Sequence, residues 1–169
     1  MATKIVLNDI TIRTILQPGD LGYVIYRHGK LYSEQYNYSI AFETYVAAGI
    51  YEFYKNYDAA LDSVWICEYN NKIIGFLLLM HRQNNSAQLR YFYLEPAFRN
   101  LGLGKKLMNL FMDFLLERQY GIVFLWTTNE QDAAAALYKK YGFILTEEKA
   151  SSTFGKPLIE QRYQLLLAK

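Results

Sequence analysis

The chain has 169 residues, a length that suits one domain with a sizeable core and needs no disulfide or metal to hold it together. Hydrophobic residues make up 52% of it and aromatic residues 17%, which excludes an intrinsically disordered chain. Lysine and arginine number 18 against 16 acidic residues, and the formal net charge of +2 argues against a dedicated nucleic-acid binder.

Cysteine usage and hydropathy indicate the setting of the protein. The single cysteine, Cys67, permits no disulfide within the chain and suggests no cysteine metal site, so we expect a reducing, cytoplasmic environment. The first nine residues lack the apolar core of a signal peptide, and the longest apolar run, residues 73–80, has the length of a strand. We therefore expect a single domain over residues 1–169, with neither a membrane nor a nucleic acid as partner.

The first predicted elements are a strand and a helix. Residues 10–16 roughly alternate apolar and polar side chains and stop at Pro18, which predicts a strand. Asp20 is a candidate N-cap for a helix over residues 21–27, and Gly29 is the residue expected to end that helix.

A second helix and an antiparallel meander follow. Ser39 is a candidate N-cap for a helix with one apolar face, formed by Phe42, Val46, Ile50 and Phe53. Strands at 64–68 and 72–81 flank Asn70-Asn71, a strong hairpin signal, and a turn at 83–86 leads into a strand at 89–94.

The second half of the chain predicts a mixed sheet. A helix with an apolar stripe begins near residue 103, and the wholly apolar run 122–126 reads as a strand parallel to the one before that helix. A helix over 133–141 with Gly142 as C-cap and strands at 143–148 and 161–167 complete an α/β (α+β) fold of order β-α-α-β-β-β-α-β-α-β-β.

The loop at residues 99–106, Arg-Asn-Leu-Gly-Leu-Gly-Lys-Lys, joins a strand to a helix. Its glycines permit positive φ and close approach of the backbone to a ligand, and the helix N-terminus presents unpaired N–H groups at the same point. Its arginine and lysines add charge that suits a pyrophosphate. The loop alone fits either a phosphate site or a tight connection with solvated basic residues.

Two familiar phosphate loops do not match. Lys106 stands where a Walker A loop has Ser or Thr, and Leu107 stands where the dinucleotide fingerprint has its third glycine. The remaining pattern, Arg-x-x-Gly-x-Gly between a strand and a helix, resembles the pyrophosphate loop of the GNAT (Gcn5-related) N-acetyltransferases. Residues 89–96 resemble that family's fourth strand, and residues 136–143 resemble its later helix and exit turn. Asn100 departs from the usual glycine, but Asn is the next best residue for a left-handed turn position.

The resemblance implies a GNAT-like sheet, mixed and mostly antiparallel, with helices on both faces and acetyl-CoA as cosubstrate. The fourth and fifth strands would splay apart and admit the thioester arm. The cofactor-binding residues that it implies are Tyr93, Leu94, Arg99, Asn100, Leu101, Gly102, Leu103, Gly104, Lys105 and Asn129. For Asn129, an ordinary helix N-cap is an equally good explanation, with Asp132 competing for that position.

Acyl transfer to an amine needs a neutral nucleophile, an electrostatic partner for the oxyanion and an acid for the departing thiolate. Tyr138 matches the tyrosine that precedes the Gly-Phe exit turn in the family, and the resemblance implies that it is the acid. The competing explanation is packing on the sheet, since the chain has 16 tyrosines. Its place in the motif favours Tyr138 over Tyr141.

Three ionisable residues are candidates for the acceptor side. Glu68 and Glu95 fall at strand ends, where a carboxylate could act as base through water, although such residues are usually solvated. His28 lies where the first helix is expected to end, and an imidazole interacting with the helix dipole is the competing explanation. Cys67 as an acyl carrier is disfavoured, because a lone strand cysteine is usually a small buried hydrophobe.

Several stretches resemble the acetyltransferase half of proteins in which a MarR-type winged helix precedes a GNAT domain; they are 18–23, 27–29, 31–32, 89–90, 125–127 and 154–155. Too few residues precede the first strand to form a winged helix, so no DNA-binding role is expected. The likeness makes Tyr32, Arg90 and Trp126 candidates for the substrate pocket alongside His28, with packing as the default for each.

The sequence thus predicts an N-acetyltransferase that works through a ternary complex, without metal or covalent intermediate, on a small-molecule or protein amine. The alternatives are a non-catalytic acyl-CoA sensor or interaction module, and a plain structural domain. The sequence leaves the oligomeric state open between a homodimer and a monomer: the last strands, including residues 161–167, could pair across a dimer through an exposed edge or could equally be covered within the monomer.

Overall fold

A computed structural model describes residues 5–168 of the chain. The strands are β1 (Thr11–Arg13), β2 (Ser63–Tyr69), β3 (Lys72–Arg82), β4 (Ser86–Leu94), β5 (Ile122–Thr128), β6 (Ile144–Ser151) and β7 (Leu158–Leu166). The helices are α1 (Asp20–Tyr36), α2 (Ile40–Lys55), α3 (Leu103–Glu117) and α4 (Asp132–Lys140). This order of strands and helices confirms the predicted one.

The strands form one sheet in the order β1-β2-β3-β4-β5-β7-β6, in which only the β4–β5 pair is parallel. Helices α1 and α2 cover one face, and α3 and α4 cover the other, so the sheet separates two hydrophobic clusters. Strand β3 is apolar on both faces for this reason: Leu77 and Leu79 belong to the α3 side, while Phe76 and Leu78 belong to the α1–α2 side. The predicted mixed, mostly antiparallel sheet is confirmed.

The first helix of the chain is longer than predicted, and the first strand is shorter. Helix α1 continues past Gly29 because that glycine lets α2 come close, and a Cβ there would overlap the Glu43 carboxylate. Gly19, with φ of 98°, is the N-cap, so the prediction of Asp20 as N-cap is wrong. Asp20 is instead buried, and its carboxylate accepts two hydrogen bonds from the Arg13 guanidinium, each of 2.7 Å.

Several local predictions are confirmed. The Ser39 hydroxyl accepts a hydrogen bond of 3.2 Å from the Ala41 N–H at the start of α2. Asn70 and Asn71 both have positive φ, of 49° and 60°, as the turn between β2 and β3 requires. Strand β5 pairs parallel to β4, as expected for strands that a helix connects.

Strands β4 and β5 pair only at one end. Their register runs from Ser86 and Ile122 to Gln88 and Phe124, and beyond that point the two strands separate. Tyr91, with φ of 55°, marks a bulge in β4 where the pairing with β3 shifts register. The separation opens a gap in the middle of the sheet.

The last strand is not a free edge. Strand β7 lies between β5 and β6 and is paired on both sides, so residues 161–167 are covered within the monomer. The edge next to it is β6, most of whose side chains are exposed. The free edge of the last two strands is thus that of β6, and the homodimer stays a prediction.

Candidate active site

The loop between β4 and α3 has the geometry of an anion site. Asn100 adopts φ of 61°, which confirms it in a left-handed turn position, and Gly102, with φ of 85°, is the N-cap of α3. The first intrahelical bond runs from the Lys106 N–H to the Gly102 carbonyl at 3.0 Å. The N–H groups of the preceding turn therefore remain free to bind a ligand.

A groove of about 490 Å³ opens beside this loop, and we call it the donor groove. Among the predicted cofactor residues, it is lined by Tyr93, Leu94, Arg99, Asn100, Gly102, Gly104 and Lys105. Leu101 and Leu103 pack into the core beneath α3, so only their backbone is available to a ligand. Lys140 adds a third cation to those of Arg99 and Lys105, and the small side chains Ala133, Ala134 and Ala136 of α4 keep the groove wide.

A second, smaller cavity of about 90 Å³ lies on the α1–α2 side of the gap, and we call it the acceptor cavity. Eight of its 17 lining residues are Phe, Tyr or Trp, and all four predicted substrate residues, His28, Tyr32, Arg90 and Trp126, line it. Phe42 and Tyr45 from α2, Tyr91 from β4, and Phe154 contribute further rings. Because these residues come from five separate parts of the chain, only the folded protein brings them together.

The donor groove and the acceptor cavity meet at four residues: Tyr32, Phe92, Gln131 and Tyr138 line both. Tyr138 is 5% exposed, and burial raises the pKa of its phenol above the ordinary value. None of the hydrogen bonds found among residues 5–168 involves its hydroxyl. The phenol therefore stays protonated and keeps its proton available for a ligand at the junction.

Tyr141 is occupied elsewhere. Its hydroxyl donates to the Lys105 carbonyl at 3.0 Å and lies 2.6 Å from the Asn109 Oδ1, which ties α4 to α3. It lines neither the donor groove nor the acceptor cavity. Of the two tyrosines at the exit turn, Tyr138 is the one placed at the junction.

His28 lies inside α1 rather than at a helix end. Its Nδ1 is 2.8 Å from the Val24 carbonyl, so that nitrogen donates and Nε2 carries the lone pair. Nε2 is buried without a hydrogen-bond partner. The rings of Tyr32, Tyr91 and Tyr93 surround the imidazole with centroids 5.0–5.6 Å away. Burial lowers its pKa to about 4, so the imidazole is neutral at pH 7.

The two candidate carboxylates are engaged in ion pairs away from the junction. Arg27 donates two hydrogen bonds, of 2.6 and 2.7 Å, to the Glu95 carboxylate. Arg13 donates one of 2.9 Å to Glu68 on β2. Neither glutamate lines the donor groove or the acceptor cavity, so the structure does not bring them to the amine.

Cys67 is also remote from the junction. It is fully buried in the cluster under α3, and burial raises the pKa of its thiol to about 12. A thiol in this environment is a packing residue, as its position in a strand predicted.

Asn129 does not face the donor groove. Its Oδ1 accepts a 3.0 Å hydrogen bond from the Ile159 N–H, and its own N–H donates to the Ile159 carbonyl at 2.9 Å. It therefore ends the β5–β7 ladder. It is not a helix cap either, because Gln131 holds that position at α4 and Asp132 is the first helical residue.

Gln131 is a site residue that the sequence did not reveal. Its side chain lies at the junction, where the Tyr32 hydroxyl donates to its Oε1 at 3.4 Å. The bulge at Tyr91 was missed for a similar reason, since a tyrosine with positive φ carries no local signature. Both depend on contacts between distant parts of the chain.

Comparison with known proteins agrees with this geometry. The sequence profile of the acetyltransferase (GNAT) family matches residues 27–143. The chain belongs to this family. An uncharacterised N-acetyltransferase of Methanocaldococcus jannaschii is 31% identical over 94 residues, a match that covers 52% of this chain and 40% of that relative. The chain thus spans less than half the length of this relative.

Solved structures share the fold at low sequence identity. A GNAT acetyltransferase from Staphylococcus aureus superposes with a TM-score of 0.76 at 22% identity, covering 94% of this chain and 99% of that one. The yncA protein of Salmonella typhimurium, solved with its cofactor acetyl-CoA, superposes with a TM-score of 0.72 at 20% identity, covering 96% of each chain. Acetyl-CoA as cosubstrate fits the family and the donor groove, and the narrower likeness to MarR-linked members stays a prediction.

The described part of the chain also lacks two kinds of feature. Across residues 5–168, no helix is both long and apolar enough to cross a membrane. Within the same residues, no group of three or more His, Cys, Asp or Glu side chains is placed to hold a metal ion.

Proposed function

We propose that the protein is an N-acetyltransferase that moves the acetyl group of acetyl-CoA to a primary amine by direct attack in a ternary complex. The observation that carries this proposal is the meeting of the donor groove and the acceptor cavity at Tyr138, where β4 and β5 separate. Two ligands bound in these spaces would have their reactive ends at one point, which lowers the entropic cost of the reaction.

The donor groove provides complementary groups for a nucleotide pyrophosphate. The N-terminus of α3 presents free N–H groups, and Arg99, Lys105 and Lys140 line the groove with positive charge. Gly104 leaves space, because a Cβ there would meet only side-chain atoms of Leu137, Leu94 and Phe92 at 3.7–3.9 Å. Acetyl-CoA would supply an activated acetyl thioester at the inner end of this groove.

At the junction, we assign two roles to residues of β4 and α4. The bulge at Tyr91 interrupts the pairing of β4 with β3, and the pairing of β4 with β5 ends at Gln88, so we assign the backbone N–H groups of this part of β4 to the thioester oxygen as it gains charge. The neutral Tyr138 phenol would donate its proton to the departing sulfur, because burial keeps that proton on the phenol at pH 7.

On the acceptor side, we assign the amine to the aromatic cavity. The unpartnered Nε2 of His28 would accept a hydrogen bond from the amine and orient its lone pair, since Nδ1 is fixed as a donor by Val24. The aromatic rings around the imidazole favour an amine that arrives as a cation. This cation must lose one proton to water before it attacks. The proton released from nitrogen as the amide forms would return to the Tyr138 phenolate that is left when the sulfur takes the phenol's proton. Glu68 and Glu95 have no part in this arrangement because arginines pair with them.

The first test is calorimetric titration with acetyl-CoA and, separately, with CoA that lacks its 3′-phosphate. We expect acetyl-CoA to bind, and we expect N-acetylated products when a panel of primary amines is incubated with acetyl-CoA and analysed by mass spectrometry. Failure of the folded protein to bind acetyl-CoA would refute the proposal. Binding without any acetylated product would favour a non-catalytic acyl-CoA sensor.

The acid role of Tyr138 has its own test. Tyr138→Phe should lower kcat by about 100-fold, because general-acid assistance contributes on the order of 10²–10⁴ in rate, and it should leave the Kd for acetyl-CoA within about twofold. Tyr141→Phe is the matched control, since it removes a hydroxyl from the same helix end but outside the junction. An unchanged kcat in Tyr138→Phe would remove Tyr138 as the acid.

A further inference from the structure

The acceptor cavity continues outward into a second groove, which we call the outer groove. Tyr45, Gln88, Arg90 and Trp126 line both spaces. The outer groove runs along α2 and is also lined by Gly49, Glu52 and Arg82. An acceptor whose amine reaches the junction would therefore extend past these residues on its way to solvent.

Arg90 is held rigidly at the passage between the two spaces. Its side chain is only 10% exposed. The guanidinium lies over the rings of Tyr91 and Tyr45, at 4.8 and 5.7 Å from their centroids. On its other side it packs against Gly49 of α2, where a Cβ would lie 2.7 Å from the Arg90 Nη2. A guanidinium fixed in this way loses little conformational entropy when it binds a ligand.

The hydrogen-bonding capacity of Arg90 is poorly used. Its two polar contacts are long, 3.5 Å to the Glu52 carboxylate and 3.5 Å to the Tyr45 hydroxyl. A guanidinium has five N–H donors, and well-formed bonds to a carboxylate measure about 2.7–2.9 Å. A largely buried arginine with only such contacts has donors left for another partner.

The nearest carboxylate is already taken by a second arginine. Arg82 donates to Glu52 at 2.5 Å and to the Gln88 Oε1 at 2.9 and 2.6 Å. One carboxylate thus serves two guanidinium groups, and the shorter contact belongs to Arg82. The trio of Arg82, Arg90 and Glu52 carries one net positive charge, and its free donors are those of Arg90.

Charges near the outer groove leave this excess unchanged. Arg162 lies over the Phe124 ring at 4.6 Å, and Lys149 lies over the Trp126 ring at 4.7 Å. Glu160 balances Lys149 at 3.3 Å. Glu147 is the cross-strand partner of Arg162, and Glu160 also lines the acceptor cavity. Four cations therefore stand against three carboxylates, and the one excess positive charge is that of the trio with Arg90, which favours an anionic group there.

We propose that Arg90 binds the carboxylate of the acceptor, so that the substrate is a small amino acid, with its amine in the acceptor cavity and its carboxylate at the passage to the outer groove. This inference rests on the proposed acetyl transfer. The forked geometry of the guanidinium matches the two oxygens of a carboxylate, and the neighbouring rings shield that pair from water.

The test compares matched acceptors. The common L-amino acids, their α-carboxamides and the corresponding decarboxylated amines are incubated with acetyl-CoA and the full chain, and initial rates are measured for each set of three. We expect the wild type to acetylate at least one amino acid with a kcat/KM at least about tenfold above that of its carboxamide and its decarboxylated amine. Arg90→Gln should raise the KM for that amino acid at least about tenfold, with kcat changed less than threefold.

Two variants distinguish recognition from general damage. Arg90→Lys should recover only part of the lost affinity, because a lysine offers a point charge and no fork. Arg118→Gln removes an arginine that also stacks on an aromatic ring, that of Phe114 at 5.0 Å, but at the end of α3 and outside the two spaces, and it should leave the KM unchanged. Calorimetry with acetyl-CoA on every variant checks that the donor groove is intact.

Each outcome decides the inference. If carboxamides or decarboxylated amines react as well as amino acids, the inference is overturned while the proposed function stands. It is also overturned if acetyl-CoA binds and no amino acid reacts, or if Arg90→Gln affects all three acceptor classes alike. Failure to bind acetyl-CoA would instead refute the proposed function itself.

Discussion

The donor groove and the acceptor cavity are built in opposite ways. Five residues that line the donor groove come from one stretch, Arg99 to Lys105, and this stretch includes the backbone N–H groups at the start of α3. The acceptor cavity is built from side chains on α1, α2, β4 and β5 that are distant in sequence. A groove made of backbone can recognise one constant ligand in many sequences, whereas a cavity made of side chains can change its ligand with each substitution.

The largest predicted effect is a loss of acetyl-CoA binding from a substitution in the donor groove alone. Gly104→Glu places a side chain and a negative charge in the donor groove, where a pyrophosphate would lie. We expect the Kd for acetyl-CoA to rise at least about 100-fold, or roughly 2.7 kcal/mol. Gly104→Ala is the control, since its Cβ has ordinary contacts and should cost less than about tenfold. Near-normal binding by Gly104→Glu would mean that the ligand lies elsewhere.

The next largest effect concerns His28 in the acceptor cavity and is a pH dependence of the free energy of unfolding. His28 has its pKa lowered to about 4 by burial, against about 6.5 in an unfolded chain. The unfolded state therefore binds more protons between these values, so stability is full above about pH 6.5 and falls as the pH is lowered towards 4. The loss at pH 5 is about 2 kcal/mol.

His28→Phe removes the titrating group and keeps an aromatic ring. We expect denaturant unfolding of this variant to lose about 2 kcal/mol less than the wild type between pH 7 and pH 5. The surrounding phenols of Tyr32, Tyr91 and Tyr93 do not titrate in this range, because burial raises their pKa values. Equal pH profiles for His28→Phe and the wild type would contradict the burial argument.

The contrast between a local backbone stretch and side chains distant in sequence also explains which parts of the site the sequence could predict. Asn100 and the glycines of the loop were readable because φ preference is a property of one residue in its own turn. Asn129 was misassigned because its partner is Ile159 on β7, and Gln131, two residues later, lies at the junction instead. Nothing within that stretch distinguishes the two amides.

The error at Gly29 has the same origin. A glycine that follows basic residues, here Arg27 and His28, is a good local signal for a helix end, but Gly29 serves the close contact with Glu43 of α2. Because α1 continues, His28 is turned into the interior and its imidazole joins the acceptor cavity. The prediction of His28 on the substrate side agrees with its position, although the expected helix end beside it is wrong.

A third substitution, Gly49→Ala, should affect the acceptor cavity and leave the donor groove unchanged. A Cβ at Gly49 would overlap the Tyr91 hydroxyl and press on the Arg90 guanidinium, so Gly49→Ala must displace both. We expect the KM for the carboxylate-bearing acceptor to rise about tenfold, with the Kd for acetyl-CoA unchanged. Gly22→Ala, in the open first turns of α1, is a control in which a helical glycine gains a methyl group without contacts. A parallel loss of acetyl-CoA binding in Gly49→Ala would show that the halves are not independent.

The smallest effect tests how much the donor half owes to side-chain charge. Lys105 lines the donor groove whereas Lys106 does not. We expect Lys105→Gln to weaken acetyl-CoA binding about fivefold at low salt and less at 0.5 M salt, because exposed charges are screened. Lys106→Gln should stay within twofold. If backbone groups dominate acetyl-CoA binding, as the free N–H groups of α3 imply, the loss of affinity in Lys105→Gln will be small beside that in Gly104→Glu. A larger loss of affinity in Lys105→Gln than in Gly104→Glu would show that side-chain charge dominates binding in the donor groove.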